Sequence, residues 1–164
     1  MPTIASTVLV TGASRGIGLE FVRQYRLEGR RVIAACRSPE RAQALNRLAE
    51  DAPARLQIVA LDEADTASAT RATRALQDQP VDVLLHCTGV MGGAGQRLGR
   101  LDYTDWARRL EINTLGTVRV IEALSPRILS AARAASQWPA RASWARSPRT
   151  PREAGSPIAP PRPP

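Results

Sequence analysis

The 164-residue sequence contains no lysine: all 23 of its basic residues are arginines. With one histidine and two separated cysteines, a zinc site is not expected. No run of about 18 apolar residues is present, which argues against a transmembrane helix, and the N-terminus lacks the cationic and apolar pattern of a secretory signal. Cys36 and Cys87 each lie in an apolar run, so we expect buried thiols in a reducing compartment and a cytoplasmic protein.

Charge and proline content divide the chain into two parts. Residues 1–125 hold 16 arginines and 14 acidic residues, the balance of an ordinary folded domain. Residues 126–164 hold seven arginines, nine of the 13 prolines and a single acidic residue, Glu153. That second composition is typical of a disordered segment. We therefore predict one folded domain over residues 1–125 and a disordered Pro/Arg-rich tail over residues 126–164.

Apolar runs alternate with helix-like periodicity in the first part. Strands are predicted over residues 5–11, 30–37, 55–62 and 81–87, and helices over residues 16–29, 38–51, 65–79 and 101–124. Ser38 is the predicted N-cap of the second helix, with Pro39 at its first position, and Asp65 or Thr66 caps the third. This alternation predicts βαβ units and hence an α/β fold, a three-layer Rossmann-type parallel sheet.

A glycine-rich turn, TGASRGIG, joins the first predicted strand to the first predicted helix. Gly12 allows a tight turn, Gly16 allows close approach to a pyrophosphate, and Gly18 lets the helix pack on the strand. The helix N-terminus adds free N–H groups and a positive dipole end. The spacing is G-x-x-x-G-x-G. The alternative to a dinucleotide-binding loop is an ordinary strand-to-helix turn. The predicted cofactor-binding residues of this turn are Gly12, Ser14, Arg15, Gly16, Ile17 and Gly18.

The charge at the end of the second strand bears on which dinucleotide is bound. Arg37 lies there without an acidic neighbour on the strand, and Arg15 in the glycine turn adds a second cation. A guanidinium pairs well with a 2′-phosphate, whereas an acid would favour a free 2′-hydroxyl, so we favour NADP over NAD. The alternative is that Arg37 is a solvated residue at a strand end. His86 ends a buried strand and is interpreted as a hydrogen-bonded core residue rather than a catalytic base.

The string TGASRGIG resembles the cofactor loop of the short-chain dehydrogenase/reductase family, and the resemblance extends from about Val8 to Leu124. It implies that Asp62 contacts the adenine ring and that Gly89 is the glycine of the family's Asn-Asn-Ala-Gly motif. His86, Cys87 and Thr88 replace the other three residues of that motif. The strings GVMG and SPERA look most similar to the carbonyl-reductase branch that includes C-factor and sniffer proteins.

The resemblance also implies an activity, a hydride transfer between NADP(H) and a small-molecule carbonyl or alcohol. Asn113 matches the catalytic asparagine that kinks the following helix and helps to hold a proton-relay water. The family also uses a tyrosine and, four residues on, a lysine that lowers the tyrosine's pKa. Without lysine this motif cannot be present, and Arg is not an adequate substitute. In the family, a serine on a later strand polarises the carbonyl. That strand and the strands after it are missing as well, so we expect a truncated sheet and impaired catalysis.

The departure from the family near residue 125 fits a shifted reading frame in a GC-rich gene. Back-translation of residues 140–162, read from each third base, permits a Tyr-x-x-x-Lys motif. Its tyrosine straddles Pro157 and Ile158, and its lysine straddles Pro161 and Arg162. This remains a hypothesis that the gene sequence tests, because third bases that spell no tyrosine and lysine there would refute it.

Two questions about partners stay open in the sequence. The resemblance implies dimers or tetramers formed through the long helix predicted over residues 101–124 and the helix that neighbours it in the family. The loss of that neighbouring helix puts a homo-oligomer in doubt. A non-catalytic nucleotide-binding module with a basic nucleic-acid-binding tail is the alternative function. Slight aromatic interleaving, at Trp138 and Trp144, and the absence of a recognition motif argue against nucleic acid.

Overall fold

Four parallel strands form the centre of the computed structural model, which describes residues 6–92 and 97–136, with side chains of the last helix as far as Leu129. The strands are β1 (Thr7–Val10), β2 (Arg31–Cys36), β3 (Leu56–Ala60) and β4 (Val83–Leu85). They lie in the order β3-β2-β1-β4. Every pairing is parallel, with Leu9 opposite Ile33 and Leu84, and Ile33 opposite Gln57. The predicted α/β fold with a Rossmann-type parallel sheet is confirmed.

Helices connect the strands and cover the sheet. They are α1 (Gly16–Leu27), α2 (Gln43–Glu50), α3 (Thr66–Ala75), α4 (Tyr103–Leu110) and α5 (Thr117–Ser136). A π-helical segment, Glu111–Gly116, joins α4 to α5. Among the described residues, no helix combines the length and the apolar character needed to cross a bilayer.

The two faces of the sheet bury two separate apolar clusters. Successive side chains of a strand point to opposite faces, so Leu9 and Ile33 lie on one face and Val8, Val10 and Val32 on the other. The first face packs against α3 and α5, and the second against α1 and α2. Because both faces are covered, β1 is buried at all four positions, as its continuous apolar run requires.

The predicted helix over residues 38–51 is wrong at its start. A 3-10 turn, Pro39–Arg41, comes first, and α2 begins only at Gln43, while the Ser38 side chain makes no capping hydrogen bond. Between the two, Ala42 leaves the helical region, with φ −87° and ψ 60°. The Ala42 side chain is buried in the core. Burial of that methyl group outweighs the local preference for a continuous helix.

The other helix ends follow the sequence signals more closely. Asp65 is the cap of α3, since its carboxylate accepts a hydrogen bond from the Ala67 N–H at 2.8 Å. Gly29 follows α1 with φ +77°. The last helix passes the predicted boundary at residue 125 and continues to Ser136. Residues 137–164 lie outside the described residues, so the disordered tail stays a prediction.

Apolar residues lie in the edge strand β4 and on the outer faces of α4 and α5. Within residues 6–92 and 97–136, β4 pairs only with β1, and its three residues are half-buried. Large apolar side chains on the outer face of α4 and α5 are exposed: Tyr103, Trp106, Leu110, Val118, Ile121 and Leu129. Among the described residues, β4 is therefore an edge strand of the sheet.

Candidate cofactor-binding site

A cavity of about 380 Å³ opens where the four strands end at their carboxyl termini. In open α/β sheets, ligands bind at this edge. Seven of the residues predicted from the sequence line it: Gly12, Ser14, Arg15, Gly16, Arg37, Asp62 and Gly89. The fold therefore brings together, from the ends of all four strands, side chains that lie far apart in the sequence. Ile17, Gly18 and Asn113 are not among the lining residues.

The three glycines of the turn have different surroundings. Gly12 has φ +62°, and a Cβ there would lie 2.8 Å from the Cys87 carbonyl oxygen. A Cβ on Gly18 would lie 2.4 Å from the Gly12 carbonyl oxygen, so only glycine lets α1 start so close to the turn. Gly16 has φ +59°, but no atom lies within 4 Å of its Cβ position. Gly12 and Gly18 thus serve the packing of the turn, whereas Gly16 borders open space.

The N-terminus of α1 points its free N–H groups into this region. Arg15, the N-cap residue, makes no side-chain capping bond, and the first turn contains no acidic residue. Ile17 in that turn is 75% exposed. The positive end of the helix dipole is therefore neutralised by no side chain of the turn, which suits an anionic group.

Two arginines, Arg15 and Arg37, and two acidic residues, Asp62 and Glu63, line the cavity. Arg15 and Arg37 are both exposed and both line it. Asp62 follows β3, where its Oδ1 accepts a hydrogen bond from the Ala64 N–H at 3.1 Å and its own N–H donates to Ser68 Oγ at 2.9 Å. These bonds fix the loop after β3, and the exposed Arg15 and Arg37 are the cationic residues that line the cavity.

Thr11 and His86 form a hydrogen-bonded group beneath the cavity. The buried Thr11 Oγ1 accepts from the Cys87 N–H at 3.2 Å and from the Thr88 hydroxyl at 3.1 Å, and lies 3.2 Å from His86 Nδ1. The other ring nitrogen, Nε2, lies 3.0 Å from Thr117 Oγ1. His86 is thus a hydrogen-bonded, half-buried residue, as predicted from its place at the end of a strand.

Glu63 is the residue of this region that the sequence did not single out. Its side chain is buried, and its Oε2 lies 3.4 Å from His86 Nε2. Neither carboxylate oxygen has a hydrogen-bond partner among the described residues. In the sequence, Glu63 is marked only by its position directly after Asp62 at the end of a strand. It belongs to no motif.

Asn113 lies in the π-helical segment and reaches the loop after β4. Its Oδ1 accepts from the Val90 N–H at 2.8 Å, and its Nδ2 donates to the Val90 carbonyl at 3.0 Å. Gly89 is adjacent, with its Cβ position 3.8 Å from Asn113 Oδ1. Asn113 therefore holds Val90, which lines the cavity next to Gly89, and its predicted part in a proton relay stays a prediction.

Neither the thiols nor the phenols present a reactive group to the cavity. Cys36 and Cys87 are free and line it, but burial raises the pKa of both thiols, which keeps them protonated and weakly nucleophilic. Tyr25 packs on Phe21 and under the Arg30 guanidinium, and Tyr103 is 73% exposed at the start of α4. Neither tyrosine lines the cavity.

A protein-family model described as short chain dehydrogenase matches residues 6–136 of the chain. Among similar proteins, 1-hydroxy-2-glutathionyl-2-methyl-3-butene dehydrogenase of Rhodococcus sp. (strain AD45) is 36% identical over 124 residues. That match covers 74% of this chain and 50% of the relative.

Solved structures give a similar result. An NADPH-bound carbonyl reductase from chicken fatty liver superposes with a TM-score of 0.72 at 32% identity, covering 79% of this chain and 51% of that one. A carbonyl reductase of Pseudomonas aeruginosa PAO1 in complex with NADP has a TM-score of 0.70 at 34% identity, covering 74% and 56%. The chain spans about half the length of the relatives that it matches.

Proposed function

Since the chain belongs to the short-chain dehydrogenase family, we propose that it binds NADP(H) in the cavity at the carboxyl ends of its strands. The observation that carries this proposal is that Arg15 and Arg37 line the same cavity as the glycine turn. A dinucleotide phosphate needs both a close approach to backbone N–H groups and cations for its charge. The NADPH and NADP bound to the two carbonyl reductases support the choice of ligand.

The turn suits a pyrophosphate. The open space beside Gly16 and the uncapped N-terminus of α1 offer room and N–H donors together. We assign the pyrophosphate to this turn and the adenosine to the side of the cavity that Arg37 and Asp62 form. Arg37 pairs there with the 2′-phosphate that distinguishes NADP from NAD, and Arg15 adds a second positive charge. When bound, the nicotinamide ring supplies or accepts the hydride.

We further propose that hydride transfer to a carbonyl or from an alcohol is impaired in this chain. The reaction needs a proton donor beside the substrate, and a phenol fills that role at neutral pH only with a cation next to it. Tyr25 and Tyr103 are the only tyrosines, and neither lines the cavity. Asn113 alone represents the expected catalytic group, and the hypothesis of a shifted reading frame over residues 140–162 would account for the missing ones.

Direct titration tests the binding proposal. The purified chain is titrated with NADPH and with NADH, and Arg37→Ala is compared with Arg47→Ala, which removes an exposed arginine of α2 away from the cavity. We expect NADPH to bind more tightly than NADH. Arg37→Ala should weaken NADPH binding by about tenfold, the loss of one charge-assisted contact, and leave NADH unaffected. Equal loss in both variants, or no binding of NADPH, would contradict the proposal.

Two further measurements address catalysis and the alternative function. Adding carbonyl compounds to the NADPH complex should give no oxidation of NADPH above the background rate, whereas steady turnover would refute impaired catalysis. Titration with DNA at two salt concentrations tests the nucleic-acid module, which depends on residues outside the described part of the chain. Binding that falls steeply with salt and vanishes when the tail is removed would favour that alternative.

A further inference from the structure

A second cavity adjoins the cavity at the carboxyl ends of the strands, here named the cofactor cavity. This second space, the α3 cavity, has a volume of about 510 Å³ and lies between β3 and α3. Among the described residues, β3 pairs only with β2, so no further strand covers this side of the sheet. Arg37 and Asp62 line both cavities, which makes the two spaces neighbours across these side chains.

One face of α3 forms the outer wall of the α3 cavity. Four residues at the spacing of a single helical face line it: Ser68, Arg71, Ala72 and Ala75. Arg71 is the one long side chain of this set, and its Nη2 lies 3.1 Å from Asp65 Oδ2. Because Asp65 caps the N-terminus of α3, the guanidinium turns back toward the carboxyl end of β3. Arg71 therefore presents its charge at the edge of the sheet where Arg37 also lies.

The cofactor cavity itself offers few cations for a ligand as anionic as NADP. Its two arginines, Arg15 and Arg37, are matched by two acidic residues, Asp62 and Glu63. A phosphate monoester carries a charge of about −1.5 to −2 at neutral pH, and the pyrophosphate adds to it. A further cation near Arg37 is therefore required for tight binding. Among the described residues, Arg71 is the one additional cationic residue that lines either cavity.

We propose that Arg71 is a specificity-determining residue that binds the 2′-phosphate of NADP(H) together with Arg37. The phosphate lies where the two cavities meet, between the two guanidinium groups. Asp65 is the only hydrogen-bond partner of the Arg71 side chain among the described residues, so the remaining N–H groups can donate to phosphate oxygens. The inference rests on the proposed NADP(H) binding and adds a second determinant of the preference for NADP over NAD.

The ion pair with Asp65 leaves Arg71 available to the ligand. The two side chains are 66% and 47% exposed, and an exposed pair of this kind is weak and screened by water. A phosphate with a larger charge competes successfully for the guanidinium. Asp65 keeps its second oxygen on the Ala67 N–H, so the start of α3 does not depend on the ion pair.

Affinities for NADPH and NADH test the proposal, because the two ligands differ only in the 2′-phosphate. We expect Arg71→Ala to weaken NADPH binding by about fivefold, the contribution of one partly exposed charge contact, and to leave NADH binding unchanged. The matched control is Arg74→Ala, an exposed arginine of the same helix that lines neither cavity, and it should change neither affinity. A damaged fold or a lost contact to adenine would weaken both ligands equally, and that result would overturn the inference.

Asp65→Asn separates the charge of Arg71 from its ion pair. This variant breaks the pair but keeps the cap, and it also removes a negative charge that competes for the guanidinium. We therefore expect it to bind NADPH at least as tightly as the wild type. The same loss of NADPH affinity in Asp65→Asn as in Arg71→Ala would show that the ion pair is what matters, and would refute the role of Arg71.

Salt provides a measurement that a structural role would not change. Exposed charges are screened by ions, so the ratio of the NADPH dissociation constants of Arg71→Ala and the wild type should fall toward one between about 0.05 M and 1 M salt. A ratio above one that stays constant would contradict a charge contact. If Arg37→Ala lowers the preference for NADPH and Arg71→Ala does not, the inference fails and the proposed function stands. If the wild type binds no NADPH, the proposed function fails instead.

Discussion

Asn113 holds Val90 by both of its backbone polar groups, with hydrogen bonds of 2.8 Å to the N–H and 3.0 Å to the carbonyl. The backbone carbonyl of Asn113 in turn accepts a hydrogen bond from the Thr117 hydroxyl at 3.0 Å. The Asn113 side chain thus fixes the loop that follows β4. The Thr117 hydroxyl, one helical turn later, fixes the backbone of Asn113 itself. The position of the cavity wall depends on this contact.

Replacing Asn113 by alanine removes both hydrogen bonds to Val90. We expect the free energy of unfolding to fall by about 1–2 kcal/mol, since each net hydrogen bond contributes about 1 kcal/mol or less when partly solvated. NADPH should also bind more weakly. Urea denaturation measures the first effect and titration the second. Thr114→Ala, at the next exposed position of the same segment, is the control and should change neither by much. Equal effects in both variants would count against the role of Asn113.

The fold was predicted from local features of the sequence: apolar alternation, helical periodicity, the glycine turn and helix capping. The alternation of apolar runs and helical periods indicated the parallel sheet, and the glycine turn indicated where its cavity would lie. Asp65 was one of the two predicted caps of α3, with Thr66, because capping needs only a neighbouring N–H. The residues of the glycine turn and Arg37 were predicted from motif and charge, whereas Asp62 and Gly89 were implied by the family resemblance. All seven line one cavity because the carboxyl ends of parallel strands meet at one edge.

The features that the sequence did not indicate depend on tertiary contacts. The break at Ala42 follows from the burial of a single methyl group, which no local pattern announces. Glu63 meets His86 only because β3 and β4 lie in the same sheet, although 23 positions separate the two residues in the chain. The contact between Asn113 and Val90 likewise spans a loop. A single sequence carries no direct record of such pairs.

Gly16→Ala and Gly99→Ala separate backbone strain from ligand contact. Both glycines have positive φ, +59° and +85°, and neither has an atom within 4 Å of its Cβ position. Each substitution should therefore cost about 1–2 kcal/mol of stability through strain alone. Only Gly16 lines the cavity, so we expect Gly16→Ala to weaken NADPH binding while Gly99→Ala leaves it unchanged. Isothermal titration measures this difference, and equal affinities would argue against a phosphate beside Gly16.

The cap of α3 is tested by two substitutions of Asp65. Asparagine caps a helix about as well as aspartate, but it cannot form the ion pair with Arg71, which spans 3.1 Å. Because that pair is exposed, it should contribute little. We expect Asp65→Ala to lower the melting temperature by about 4 °C and Asp65→Asn to lower it much less. A similar loss in both variants would show that the charge of Asp65 matters more than its capping bond.

Glu20 is the acid whose titration the structure changes most clearly. Hydrogen bonds from Arg23 first and Gln24 second lower the pKa of its carboxyl from 4.5 to about 2. A depressed pKa in the folded state stabilises the fold above about pH 4.5, and this contribution disappears as the pH falls toward 2. Arg23→Ala should therefore raise the pKa of Glu20 toward 4.5, as followed by carboxyl ¹³C signals. Arg47→Ala, on a different helix, should leave it unchanged. A wild-type Glu20 that titrates near 4.5 would show that the Arg23 contact does not persist in solution.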